Sequence, residues 1–433
     1  MSVPTTPFYP MTHDDGVALA AALEGIKDAI QTPKAGTIFG FHIDPTESDP
    51  EDAVTYVGDA VGMTPAHMDY AHSRFDYGSW GNAFFMPRPC MLKYDGTVDY
   101  YLDPNDYTKK YGGSTASDVA TDSYGGNAMM EWGQNGKKIW YKIVPDADPR
   151  GATVYIADYQ ADQDFRCWSF INSQGAMVDH FYTPIYNGWK DGSDRMRSIS
   201  GKTPTASLNA GTERTYCRNN HSNAIWDTEV FADVILINLL LTLMSKSLDS
   251  QTAFGQGCTT PGQEGVLNTG TGDALGLFYG YDSDTTKVVK IFGMENWWGN
   301  LWRRFGGLVN DNGVMRYKLT RDKSDGSNAS DYVVSTSSGD YAGYLQGSVI
   351  PASGQQKAQM FSRYAYAPYE MGAGAAYYYR DYFWANNGQV DYASHGGSAV
   401  DGSACGAWCL DLGSTSSHAY WYVAAAPSCK PLS

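Results

Sequence analysis

Residues 231–244, FADVILINLLLTLM, constrain this chain more than any other stretch. At 3.6 residues per turn, apolar side chains including Ile235, Leu239, Leu243 and Met244 cover nearly every side of one long helix predicted over 226–246. A helix that is apolar all round has to be enclosed. A bilayer is excluded as the enclosure, because the apolar stretch 234–244 is too short to cross one and Asp233 and Asn238 lie beside or within it. The helix therefore belongs at the centre of a folded domain, and 433 residues are enough to build one around it.

What surrounds the helix reads as short strands. Strand-like runs at 90–94, 99–102, 128–132, 138–144 and 153–157 are separated by Gly, Asp and Pro turns, and Asn135-Gly136 between two of them is a hairpin signal. Residues 36–88 read as irregular and acidic. One central helix among many short strands predicts an α+β domain rather than a sandwich, propeller or parallel α/β sheet. A shorter amphipathic helix is predicted over 14–30, bounded by Pro10 and Pro33, with its apolar stripe turned to another copy, a larger assembly or the main domain.

Several function classes fall away early. A net charge of −16 leaves no basic footprint for nucleic acid or anionic lipid. The N-terminus has no basic region ahead of an apolar one, so no signal peptide is expected. Seven thinly spread cysteines fit synthesis in a reducing cytoplasm rather than a disulfide framework. No GxSxG, Walker A, HExxH or strand-to-helix GxGxxG motif occurs. Asp158, Asp162 and Asp164 read as a solvated acidic loop, and His180 as a satisfied, partly buried histidine. Cys405 and Cys409, even with His395 and His418, lack the paired spacing of a zinc site, so neither metal nor cofactor is expected.

Two segments stand out. Residues 292–307, FGMENWWGNLWRRFGG, place large rings against glycines that permit close backbone approach, and Glu295, Asn296, Arg303 and Arg304 are expected to satisfy one another or nearby backbone. Residues 391–433 set Gly, Ala, Cys and Trp among Ser, His, Asp and Tyr, and contain no Glu, Gln, Met, Asn, Arg, Phe or Ile. Tyr, Ser and Gly are what antibody-like binding surfaces favour, large contact area at low entropy cost alongside adaptable polar groups.

The order of the WDTEVFADVILINLLLTLMSKSLDSQTAFGQG helix, then GMENWWGNLWRR, then GGS…CGAWCLDL…YWYVAAAPSCKPLS resembles the variable proteins of diversity-generating retroelements, which occur in phage tail fibres and receptor-binding proteins. The resemblance runs over about 87–433 and implies a C-terminal C-type-lectin-like fold of the formylglycine-generating-enzyme type. In that family an error-prone reverse transcriptase randomises template adenines, turning Asn codons into a set without Lys, Glu, Gln, Met and Trp. Between Asp391 and Ser428 only Trp408 and Trp421 fall outside that set. The resemblance assigns a ligand-facing role to Ser394, His395, Ser398, Val400, Asp401, Ala404, Asp411, Gly413, Ser417, His418, Tyr420 and Tyr422. It assigns framework roles to Gly396, Gly397, Cys405, Gly406, Trp408, Cys409, Trp421 and Cys429.

Two domains follow from this reading: an attachment and oligomerisation region over 1–86, and a ligand-binding domain over 87–433 whose variable region spans about 391–428. The function implied is binding without chemistry, by a virion protein that recognises a bacterial surface protein or glycan. Its other expected partners are further virion proteins and copies of itself, a homotrimer, with no nucleic acid and no membrane insertion. A non-diversified tail or head-fibre protein is the alternative. An oxidase of the formylglycine-generating type is a second one, because Gly299-Asn300-Leu301-Trp302 is similar to that family's GNVWEW and Cys405 and Cys409 resemble its cysteine pair. The Glu-Pro-Asn and Gln-Pro-Asp tripeptides of calcium-dependent lectins are absent, so calcium-dependent sugar binding is not implied.

Overall fold

The computed structural model describes residues 36–432 apart from 149, 261–265, 321–331, 338–340, 347–364, 367, 369–370 and 373. The predicted helix at 14–30 lies outside the described residues. The chain divides into Met1–Thr37 and a compact unit, Ile38–Ser433. Among the described residues the protein is mostly β, with α-helices at Ala210–Arg218, Phe231–Ser245 and Ser250–Phe254.

Residues 36–88 are not irregular throughout. Ile38–Ile43 and Val54–Gly58 form strands, and with Ala152–Ala157 and Trp140–Pro145 they make a four-stranded antiparallel sheet. Phe41, Val54, Ile143 and Val154 are fully buried in it or close to it. The compact unit thus begins at Ile38, where the sequence reading begins its ligand-binding domain at Pro87, because the partner of the first strand lies more than a hundred residues downstream. Asn135 and Gly136 do take the left-handed conformation of a tight turn, φ 56° and 71°. The strands on either side do not pair, however. Gly126–Trp132 belongs to a seven-stranded antiparallel sheet, between Arg88–Lys93 and Phe181–Pro184, while Trp140–Pro145 belongs to the four-stranded one.

The helix Phe231–Ser245 is shorter than its apolar pattern suggested, since Trp226–Thr228 is a strand paired with Pro427–Cys429. All fifteen helical residues are buried. Its polar positions have specific partners. Asp233 holds Lys430 at 2.9 Å with both side chains inaccessible, and Asn238 accepts from Trp297 Nε1 at 2.8 Å and donates to the Ala407 carbonyl at 2.5 Å. Thr242 Oγ1 accepts from Trp408 Nε1 at 3.3 Å. One helix face thereby fixes both the GMENWWGNLWRR segment and the CGAWC segment, and in such buried surroundings leaving any of these groups unpaired is costly.

An eight-stranded sheet carries the rest. Its path runs Val333–Ser337, Val314–Tyr317, Trp302–Asp311, Val390–His395, Leu410–Leu412, Tyr382–Ala385 and Tyr341–Tyr344, with Val423–Ala424 added parallel to Trp302 and Arg303. Arg303 and Arg304 find their partners outside their own segment, contrary to expectation. Arg303 pairs with Glu229 at 3.0 Å, and Arg304 with Glu213 of the Ala210–Arg218 helix, all four side chains buried. Glu295 accepts instead from the backbone of Gly270 and Gly272. The loop residues Asp158 and Asp162 pair with Lys137 and Lys142; Asp162 is solvated as expected, but the Asp158 side chain is nearly covered, and His180 lies 3.2 Å from the Trp132 carbonyl.

Candidate ligand-binding site

The terminal segment enters the eight-stranded sheet as Val390–His395, between Trp302–Asp311 and Leu410–Leu412. Its residues from Asp391 to His395 are buried without interruption, so both faces of the strand are covered and alternation along it does not expose every second side chain. Ser394 and His395, assigned to the ligand by sequence, are therefore core residues, 2% and 0% exposed. The His395 ring packs 4.5 Å from Trp297 and 5.6 Å from Phe305, centroid to centroid, and neither ring nitrogen has a hydrogen-bond partner among the described residues. Burial, and secondarily the Arg303 charge, hold its pKa well below the usual histidine value, so the imidazole is neutral. Ala404 is likewise buried, in a short 3-10 turn.

After His395 the chain turns through Gly396 and Gly397, φ 92° and 78°. A Cβ on Gly397 would stand 2.4 Å from Cys405 Sγ, so no other residue fits the turn without displacing the Cys405 loop. Cys405 and Cys409 are both buried free thiols. Burial pushes each well above its ordinary pKa, which leaves both protonated. Among the described residues no group of three or more His, Cys, Asp or Glu side chains is placed to hold a metal ion.

Beyond the turn the segment opens onto a cavity of about 310 Å³ lined by Trp302, Trp384, Ser398, Val400, Asp401, Asp411, Ser414 and Tyr422. Five of the sequence-assigned residues, Ser398, Val400, Asp401, Asp411 and Tyr422, thus meet at one place. Ser398 is itself inaccessible and acts on Asp401, donating to its Oδ2 from both backbone N and Oγ at 2.7 Å. Asp411 Oδ1 accepts from the Gly413 backbone at 2.8 Å, which gives Gly413 a turn-forming rather than a ligand-facing place. Burial raises the pKa of both carboxyls above the ordinary aspartate value, and for Asp411 the neighbouring Asp401 adds to the rise. Trp302 and Trp384 meet edge to face, centroids 5.4 Å apart and planes at 82°.

From the rim of the cavity an aromatic stack runs outward. Tyr422 lies 5.5 Å from Tyr420, and Tyr420 lies 4.2 Å from His418, both pairs nearly parallel. Tyr420 is half exposed, at 51%, and Ser417 is exposed beside it, its hydroxyl 2.8 Å from Thr415 Oγ1. His418 is partly buried; burial, then Arg304, lowers its pKa.

The backbone of this loop is anchored in a regular way. The carbonyls of Ser414, Ser416, His418, Tyr420 and Tyr422 each accept a bond from the domain behind: from Tyr392 N at 2.8 Å, Ala210 N at 2.9 Å, Arg304 Nη2 at 2.6 Å, Ser207 N at 3.0 Å and Trp302 N at 2.8 Å. Every second carbonyl points inward, and none of these five bonds uses a side chain of the loop.

Trp302, Trp384 and Ser414 belong to the cavity and escaped the sequence reading. Trp302 and Trp384 lie in aromatic clusters that read as core, and the sheet alone brings them to the terminal segment. Trp421, assigned to the framework, is only partly buried, against Tyr422.

No family model matches this chain, and no curated protein matches it. Among solved structures it is similar to the Major Tropism Determinant P3c variant, with 12% sequence identity, a TM-score of 0.29, and 80% of this chain and 72% of that chain covered. The U1 and M1 variants are similar over the same shares and at the same identity, with TM-scores of 0.27 and 0.28.

Proposed function

We propose that this chain is a receptor-binding virion protein of a phage or prophage, a diversity-generating retroelement variable protein of C-type-lectin-like fold. It recognises a bacterial surface protein or glycan through side chains between Asp391 and Ser428. The observation that carries this reading is the anchoring of residues 414–422 through alternate carbonyls. Hydrogen bonds to main-chain atoms are indifferent to which side chain a residue carries, so this loop keeps its course while its outward residues change. A site that is rewritten repeatedly requires a loop that takes new side chains without refolding, and a loop held by its main chain meets that requirement.

On this reading the randomised positions are Val400, Asp401, Asp411, Ser417, His418, Tyr420 and Tyr422, while Ser394, His395 and Ala404 stay fixed with Trp302 and Trp384. The region at 1–86 attaches the chain to other virion proteins, and a homotrimer multiplies a weak single-site affinity. No bond is made or broken at the patch.

Sequencing the DNA downstream of the gene tests the proposal. The expected result is a reverse transcriptase gene and a near-copy of the gene's 3′ end that differs only where the template carries adenine, with the differences at the seven outward codons. A flank with no such repeat would leave a non-diversified tail or head-fibre protein as the better description. A repeat whose differences fall on the codons of Ser394 and His395 would contradict the assignment of the patch.

A further inference from the structure

We infer that the cavity between Trp302, Trp384, Asp401 and Asp411 receives an organic cation, the ammonium or guanidinium of a lysine or arginine side chain on a protein ligand. This rests on the ligand-binding reading above and names the chemistry of the group this version of the patch selects. Size comes first. At about 310 Å³ the cavity is at the lower end of what holds a small molecule, and suits one long side chain or one sugar ring.

Charge separates these. Two carboxylates line the cavity, and among the described residues no cationic side chain does. The donors they are given are neutral: Ser398 N and Oγ and the Trp302 side chain on Asp401, and Gly413 N and the Ser414 side chain on Asp411. Arg304 acts on Asp411 through its charge, but its guanidinium is engaged by Glu213 and by the carbonyls of Leu208 and His418. Two acids that are partly desolvated and sense each other, with neutral donors only, are stabilised by a positive guest. The remaining walls fit the same guest. Indole faces attract cations, and two indoles set at 82° present a face and an edge to whatever sits between them. An inorganic divalent ion is a poor alternative, since calcium takes six to eight oxygen ligands and only two carboxylates and two serines stand among the eight lining residues, with no third acidic group beside them among the described residues.

A titration of the whole protein by calorimetry or saturation-transfer NMR tests this, with Nα-acetyl-lysine methylamide, Nα-acetyl-arginine methylamide, the neutral isostere Nα-acetyl-norleucine methylamide, and glucosamine. The basic amino acid probes are expected to bind about tenfold more tightly than norleucine, with Asp401→Asn and Asp411→Asn each removing about that factor and Trp384→Leu weakening both probes by a similar amount. Asparagine keeps the acceptor that Ser398 or Gly413 needs, so both aspartate variants are expected to melt like the parent, and a loss of binding in a variant that melts normally reports on charge. Equal binding of norleucine and lysine, or binding unchanged in both aspartate variants, would overturn the inference. Glucosamine binding more tightly than either amino acid probe would also overturn it, in favour of an amino sugar. Failure here is distinguishable from failure of the proposed function. Flat titrations alongside a template repeat in the flanking DNA remove only the cationic guest, and Asp401-dependent binding without a repeat removes only the diversification.

Discussion

His395 shows how much a single residue's chemistry depends on what covers it. It carries a titratable ring that is fully buried, has no hydrogen-bond partner among the described residues and lies near Arg303, and so stays neutral when folded. In the unfolded chain it titrates near the ordinary value of about 6.5. A depressed folded pKa contributes stability that is fully present above the unfolded value and lost progressively as pH falls below it, because the unfolded state takes up the proton and the folded state resists. Between about pH 7 and about pH 5.5 this residue alone should cost about 1 kcal/mol. His395→Leu replaces an unpaired imidazole by an apolar group of similar size, a change that can be neutral or stabilising. Urea unfolding of both proteins at the two pH values should show the parent losing more stability on acidification than the variant, and equal losses would refute the account. Sequence alone points to this histidine as a ligand contact, because nothing local to Ala393-Ser394-His395 reveals that its strand is covered on both faces.

At the scale of elements, two kinds of attachment divide the work around the patch. The loop at 414–422 is held by its own carbonyls, so replacing Ser417, His418 and Tyr420 together with alanine should move the melting temperature by no more than a few degrees, as for surface changes generally. Arg304 behind it is the opposite case. Arg304→Ala removes the partner of the fully buried Glu213 and the donor to the His418 carbonyl, and breaking a buried pair from one side costs about 3–5 kcal/mol. Thermal melts of the two variants should separate clearly; a triple loop variant as damaged as Arg304→Ala would show that loop side chains hold the fold. The same division governs what can be read from sequence. Strand runs such as 128–132 and 153–157 and the buried helix are legible because their hydrophobic patterns are local. The Asn135-Gly136 turn is legible as a turn, yet its partners are not, because pairing is decided by Arg88–Lys93 and Ala152–Ala157 elsewhere in the chain. The cavity is half legible for the same reason: Asp401, Asp411 and Tyr422 lie within one unusual segment, whereas Trp302 and Trp384 reach them only through the eight-stranded sheet.

The whole molecule decides where the folding unit starts. The largest apolar cluster takes Phe41, Ile43, Val54 and Tyr56 from the first two strands and packs them in one continuous core with Trp80, Phe85, the Phe231–Ser245 helix and Trp408. Val54–Gly58 and Ile38–Ile43 are also one half of the four-stranded sheet, and Ala152–Ala157 would become an edge strand without them. The Tyr56 hydroxyl and the Ala66 backbone N–H both donate to the Met244 carbonyl at the end of the helix. A chain starting at Pro87, the boundary that the resemblance implies, would therefore leave a helix end and a sheet edge uncovered, and exposed strand edges pair with other chains. A chain starting at Ile38 keeps every one of these contacts. Expressed side by side, the Ile38 version should be soluble and unfold in a cooperative transition, and the Pro87 version should aggregate or unfold without cooperativity. If the Pro87 version melted cooperatively and still bound the basic probes, the first two strands would be an addition to the folding unit rather than part of its core.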